Sequence, residues 1–162
     1  MIKIHPTARV SPLADIEDSV RGSLIVISEN VVIDSFVKIK PAGGSGSLII
    51  GPGSFVNSGC VLYTGNGIRI GRSVAIAANC TFASANHEYA RKDVLIVRQG
   101  FRPSKGGIVI GDDVWIGANV VVLDGASVGN GCVISAGSVV RGTLADFGVY
   151  GGNPLFKLGE RR

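Results

Sequence analysis

From Ile110 to Val140 an aliphatic residue stands at every sixth position: Ile110, Ile116, Val122, Val128, Ile134 and Val140. Four residues after each of the first five stands a small or β-branched residue: Val114, Val120, Ala126, Cys132 and Ser138. A period of six fits neither an α-helix nor one long strand. Side chains at i and i+4 share one face of a strand, because four is even. Each hexapeptide therefore reads as a short strand followed by a corner, and three hexapeptides close one coil. Stacking the coils buries each apolar row on the next, as in other solenoids.

The register extends upstream through Ile70, Ile76 and Phe82, through Ile50, Val56 and Leu62, and through Ile27, Ile33 and Ile39. This predicts five coils, starting at 27, 50, 70, 110 and 128. The step from Val122 to Val128 is six, but Ile39 to Ile50 is eleven, Leu62 to Ile70 eight and Phe82 to Ile110 twenty-eight. Every insertion follows the third side of a coil. Loops near 40–49, 63–69 and 83–109 should therefore project from one edge of a rigid scaffold, where function tends to reside. The spacing weakens before 27, so residues 1–26 read as an irregular first coil and cap, with the β-helix over 27–142. Residues 143–162 read as a C-terminal cap in which Leu155, Phe156 and Leu158 fold over the open end. The expectation is one all-β domain, a three-sided parallel β-helix.

Composition agrees. Hydrophobic residues make up 46% of the 162, yet aromatics only 6%. Such a core uses small aliphatic side chains in narrow layers. Glycine, at 24 residues, is about twice the usual ~7% and signals many tight turns. Mean hydropathy is positive, +0.38, but no apolar run approaches the ~18 residues of a membrane span. "MIKIHPTARV" has no signal-peptide pattern, so a cytoplasmic location is expected. The net charge of +4 is scattered, which favours a small anionic ligand over nucleic acid. Cys60, Cys80 and Cys132 all occupy i+4 positions and read as buried small hydrophobes. Cys60 and Cys80 sit on neighbouring coils, but a reducing compartment argues against a disulfide.

The hexapeptide register, "NHEY", "RQGF", "IVIGDDVWIGANVVVLDG", "ISAGSVV" and "GGNPLFK" together resemble the hexapeptide-repeat acyltransferases. Within them the chain is most similar to bacterial sugar O-acetyltransferases and the galactoside and maltose acetyltransferases. The specific likeness covers about 50–157; residues 1–49 match only in repeat style. The resemblance implies a left-handed coil, which spacing alone does not give; the general crossover rule would predict the opposite hand. It also implies a homotrimer with active sites between subunits, acetyl-CoA as donor and no metal.

Acyl transfer from a thioester needs a base for the acceptor's proton and stabilisation of a tetrahedral oxyanion. Histidine suits the first task, with an ordinary pKa of ~6.5. His5 lies in the N-terminal region beside a proline; His87 opens the long loop and matches the family's catalytic histidine. Asn57 matches an asparagine that contacts the acceptor in related sugar acetyltransferases, or is a polar corner residue. Glu88 or Asp93 are candidates to orient His87. Trp115, the single tryptophan, points outward at i+5; the resemblance places it at the trimer interface beside the acceptor. By motif match Ala118 and Ala136 line the pantetheine path. Arg141 stands where the family often has a lysine near the CoA phosphates, with Lys157, Arg161 and Arg162 as further cations.

Rival readings are weaker. A zinc enzyme of this shape needs three histidines, and the chain has two, 82 positions apart. An ice-binding solenoid wants a threonine ladder, and four threonines occur without period. A non-catalytic interaction subunit is opposed by the long loop that begins with "NH". The acceptor stays open. His87 favours a saccharide hydroxyl. The loop cations Arg91, Lys92, Arg98, Arg102 and Lys105 would also suit a nucleotide-linked amino sugar, acetylated on nitrogen in surface-polysaccharide biosynthesis.

Overall fold

A computed structural model describes the whole chain, Met1–Arg162. Three parallel sheets form the walls of a prism, with seven, eight and six strands, and the chain winds through them as a left-handed β-helix. Ile110 pairs in register with Ile70 and Val128 on the first wall. Ile116 pairs with Ile76 and Ile134 on the second, and Val122 with Phe82 and Val140 on the third. These rows point inward and are at most 2% exposed. Successive coils therefore share one lining, in which Phe82 is the largest fully buried side chain. The single helix, Ile96–Gln99, is one short turn inside the long loop.

The coil series starts earlier and ends later than the spacing predicts. Ile2–Ile4, Arg9–Val10 and Asp15–Ile16 pair in parallel with the first full coil, so residues 1–26 include a regular turn of the helix rather than an irregular cap. Its inward positions are Ile4, Val10 and Ile16. Gly22, which also falls on a six, lies instead in a further insertion after the third wall, with φ +81°. At the other end Thr143–Leu144 and Gly148–Gly151 add strands to the first and second walls. The step from Val140 to Leu144 is four, not six, which hides this last coil from a six-residue search. Phe156–Glu160 then turns back antiparallel along Gly148–Gly151. Leu155 packs against the core, but Phe156 and Leu158 stay 62% and 64% exposed. The returning strand lengthens the second wall by one and pairs its exposed edge, while these two side chains stay at the surface instead of folding over the open end.

The small residue at i+4 has a second task. At Ser54 and the three cysteines it bonds to the carbonyl that follows the inward residue of the next coil, whereas Ser138 Oγ donates within its own coil, to Ser135 O at 2.6 Å. Ser54 Oγ donates to Gly71 O at 2.9 Å, and Cys60 Sγ to Ala77 O at 3.1 Å. Cys80 Sγ donates to Gly117 O at 3.1 Å, and Cys132 Sγ to Ala145 O at 3.0 Å. All three cysteines are free and buried. The interaction with Cys80, then burial, pushes the Cys60 thiol up; burial pushes up Cys132.

Each corner between the second and third walls needs a left-handed residue. Gly59, Asn79, Asn119 and Gly137 fill it in successive coils, types that tolerate positive φ. In the coil before them the position is Phe36, with φ 63° and its ring 67% exposed. Little burial offsets that strain. Phe36→Gly is expected to raise the unfolding free energy by about 1 kcal/mol, the order of the left-handed penalty for a residue with a Cβ, as measured by urea denaturation.

Candidate active site

The insertions leave the prism where the third wall passes to the first. The longest begins after Thr81–Ala83 and ends before Ile108–Ile110. Its base is a short antiparallel ladder: Arg102 N donates to Asn86 O at 2.8 Å, Glu88 N donates to Gly100 O at 3.0 Å, and His87 bridges Phe101. The His87 imidazole is exposed and stacks on Phe101, with ring centroids 4.7 Å apart. Phe101 in turn lies over Gly43 of the loop two coils below. A Cβ on Gly43 would fall 3.1 Å from the ring, so glycine there lets the two loops close together.

Neither proposed carboxylate orients the imidazole. Glu88 Oε1 accepts from Tyr89 N at 2.7 Å and Ala90 N at 2.9 Å, and from Arg102 Nε at 3.4 Å. The Ala90 and Tyr89 amides, then Arg102, hold this carboxyl below the usual range. Asp93 pairs with Arg91 at 2.6 Å. The Phe101 ring packs against the imidazole instead, tilted 30° to it.

Beyond the ladder the loop returns over a cavity of about 370 Å³ lined by Asn86, Tyr89, Arg102, Lys105, Asp124 and Arg141, among others. Arg102 lies 4.3 Å over the Tyr89 ring. Arg141 also lines a second cavity, about 320 Å³, shared with Tyr150, Leu155 and Lys157. Arg141 is the residue common to both cavities; the second lies at the end of the prism, over Leu144 and Tyr150 of the last coil. Lys157 lines that second cavity but is ion-paired with Glu160 at 2.5 Å, which raises its pKa. Arg161 lies elsewhere, holding Asp113 at 2.7 Å and the Gly131 carbonyl at 3.1 Å. His5 bonds to Thr7 at the N-terminal end, several coils from the loop.

The remaining candidates lie on a different edge. Asn57, Ala118 and Ala136 stack along the corner between the second and third walls, each just after a second-wall strand. Asn57 is exposed, and its Nδ2 donates to Ile76 O at 2.6 Å. Trp115 projects from the second wall, 56% exposed, between Ala75 and Val133. One chain therefore brings His87, Arg141 and Lys157 to one edge, and Asn57, Ala118 and Ala136 to another. The third wall separates them. No three His, Cys, Asp or Glu side chains cluster as metal ligands, and no helix is long and apolar enough to cross a membrane.

Comparison with known proteins identifies the family. Residues 107–142 match the bacterial transferase hexapeptide (six repeats) family. The chain is 31% identical over 155 residues to a candidate acetyltransferase of Saccharomyces cerevisiae, YJL218W, covering 94% of this chain and 76% of the relative. It is 32% identical over 135 residues to WcaF of Escherichia coli, a proposed colanic acid biosynthesis acetyltransferase, covering 83% and 69%. Other relatives are longer: the chain spans 36% of a Mycobacterium tuberculosis acetyltransferase, Rv3034c, and 45% of Bacillus subtilis YvoF. Among solved structures, a serine-to-alanine variant of the Bacillus cereus N-acyltransferase AntD superimposes with TM-score 0.82 at 25% identity, covering 99% of this chain and 84% of that one. That crystal holds dTDP-4-amino-4,6-dideoxyglucose and coenzyme A. The coil register, the loop-bearing edge and these relatives together show that the chain belongs to the hexapeptide-repeat acyltransferase family.

Proposed function

We propose that the protein transfers an acetyl group from acetyl-CoA to a saccharide hydroxyl, with His87 as general base. The observation that carries this reading is the exposed His87 ring, stacked on Phe101 at the root of the long loop, on the same edge of the prism as the groove lined by Asn86, Tyr89, Arg102 and Arg141. That groove offers Arg141 to the donor's phosphates. His87 takes the acceptor's proton as the hydroxyl oxygen bonds to the thioester carbon. The carbon–sulfur bond then breaks, and the imidazolium returns the proton to the departing thiolate. The products are an O-acetyl saccharide and free CoA.

The site is proposed to be completed by a neighbouring subunit. A threefold axis facing the third wall would set the loop edge of one protomer against the Asn57–Ala118–Ala136 edge of the next. The upper part of that wall's outward face supports this arrangement: Val61, Tyr63, Ala83, Val121, Leu123 and Val139 are apolar and only partly covered within one chain, with Thr81 among them, while Lys38 and Lys40 make the two lowest coils charged. In that trimer Asn57 would face the acceptor, Ala118 and Ala136 would admit the pantetheine arm, and the neighbour's loop would approach Trp115.

A second reading, N-acetylation of a nucleotide-linked amino sugar, is favoured by Arg102 and Lys105 beside the groove and by the nucleotide sugar in AntD. It belongs to the same surface-polysaccharide context as the WcaF relative. A cytoplasmic site of action, where acetyl-CoA is made, follows from either reading.

A thiol-release assay with acetyl-CoA against saccharides and amino-sugar nucleotides separates the two acceptors. His87→Ala is expected to lower kcat by about 10²–10⁴-fold, the usual contribution of a general base, with CoA binding retained; unchanged turnover would remove His87 from the role. Arg141→Ala is expected to weaken CoA binding about tenfold or more, the scale of one lost charge-assisted hydrogen bond, with little change in binding of dephosphorylated pantetheine, measured by calorimetry. Sedimentation should return a trimer, and Val121→Glu on the third wall should return monomer.

A further inference from the structure

The carboxylate of Asp124 is 94% buried, since the residue is only 6% exposed, yet it lies at a corner of the prism. Oδ1 accepts from Gly107 N at 2.9 Å. Oδ2 accepts from Lys105 N at 2.9 Å and from Asn66 Nδ2 at 3.2 Å. The next residue adds a further bond, Gly125 N to Gly107 O at 2.7 Å. Three separate stretches of chain thus converge on one side chain. They are the turn after the third wall two coils below, the return of the long loop, and the coil to which Asp124 belongs. Gly107 has φ +75°, and a Cβ there would fall 2.5 Å from the Asn66 and Gly67 carbonyl oxygens. The loop end is therefore pressed against the scaffold with no room for a side chain.

A buried carboxylate is costly unless its oxygens are satisfied, and losing it would orphan the amides that it now receives. Nothing in the core requires a charge at this point. What Asp124 holds is the end of the strand that carries Phe101 and Arg102. Arg102 is bonded back to Asn86, and Phe101 is stacked on His87. A shift of Lys105 would travel along four residues of chain to the surface that fixes the imidazole.

We propose that Asp124 is a positioning residue: a latch that pins the loop return at Lys105 and Gly107 and thereby holds Phe101 against the His87 ring. The catalytic half of this proposal rests on the acyl-transfer reading above; the latch itself does not. Hydrogen–deuterium exchange of the segment 88–107 reads the latch, and thiol release with acetyl-CoA reads the catalytic consequence. Asp124→Ala is expected to speed exchange across that segment, and to lower kcat by about tenfold or more while the KM for acetyl-CoA changes less than about threefold, because small misplacements of a catalytic group cost rate rather than donor binding. Asp124→Asn keeps the shape and one acceptor oxygen, and should fall between wild type and Asp124→Ala in both readings. It also serves if the alanine variant folds poorly. Asn66→Ala removes one of the three donors and should loosen the loop least.

Wild-type exchange rates in both Asp124 variants would overturn the latch. A loosened loop with wild-type kcat would overturn the positioning role. A proportionate loss of kcat and of donor affinity would also overturn it, since that marks general disruption. Wild-type protein that turns over no acceptor would instead discard the acyl-transfer reading, and the latch would then stand or fall on exchange alone.

Discussion

Every coil must do two things at once: lay its aliphatic lining on the coil below, and pair its backbone with that coil's strands. Both demands share one period. A residue added within a wall would turn the inward side chain outward and break the ladder together. Extra chain is tolerated only where no ladder runs. In this protein all of it, from the turn at 17–24 to the loop at 84–107, leaves at the passage from the third wall to the first. The concentration of loops on one edge follows from the packing of the lining.

That edge is also where polar groups are buried. Ser84 and Asp124 are nearly inaccessible there, and their bonds run between loops rather than along a wall. Ser84 Oγ donates to Tyr63 O at 2.6 Å and accepts from Asn66 N at 3.1 Å. The loops are thus tied to each other and to the scaffold by directional bonds, while the walls hold mainly by shape and ladder. A rigid prism with a bonded, polar margin suits the proposed reaction, in which one imidazole is held still beside a long donor.

Much of the fold was legible in the residues. The inward rows from Ile27 to Val140, the five central coils, the single insertion edge and the buried cysteines were all readable, because a strict period leaves a strong signal. The ends were harder. Ile4, Val10 and Ile16 keep the period, but the insertion that follows shifts the next coil. Leu144 comes two residues early, so the last coil breaks the six-residue spacing. The candidate site was legible by kind: a histidine at a loop root, a small residue at a corner, a cation past the last repeat. Its division between two edges also follows from the register, since Asn57 and His87 leave different walls. Phe101 and Asp124 were not singled out. An aromatic and a carboxylate next to glycines carry no period, and their tasks depend on how the loop folds back. The proposed orienting carboxylates, Glu88 and Asp93, failed for a local reason: each is close to a partner in its own turn and is spent there.

The lining has one further effect, on how the protein can be handled. Its three sulfhydryls sit inside the prism with no accessible surface, each engaged with a carbonyl of the adjoining coil. Reagents that colour free sulfhydryls should find none on the intact protein, so a chromogenic test of the proposed CoA release has no background from the protein itself. Once the coils separate, all three become reactive together, and the same reagent then reports how much of a preparation is still wound.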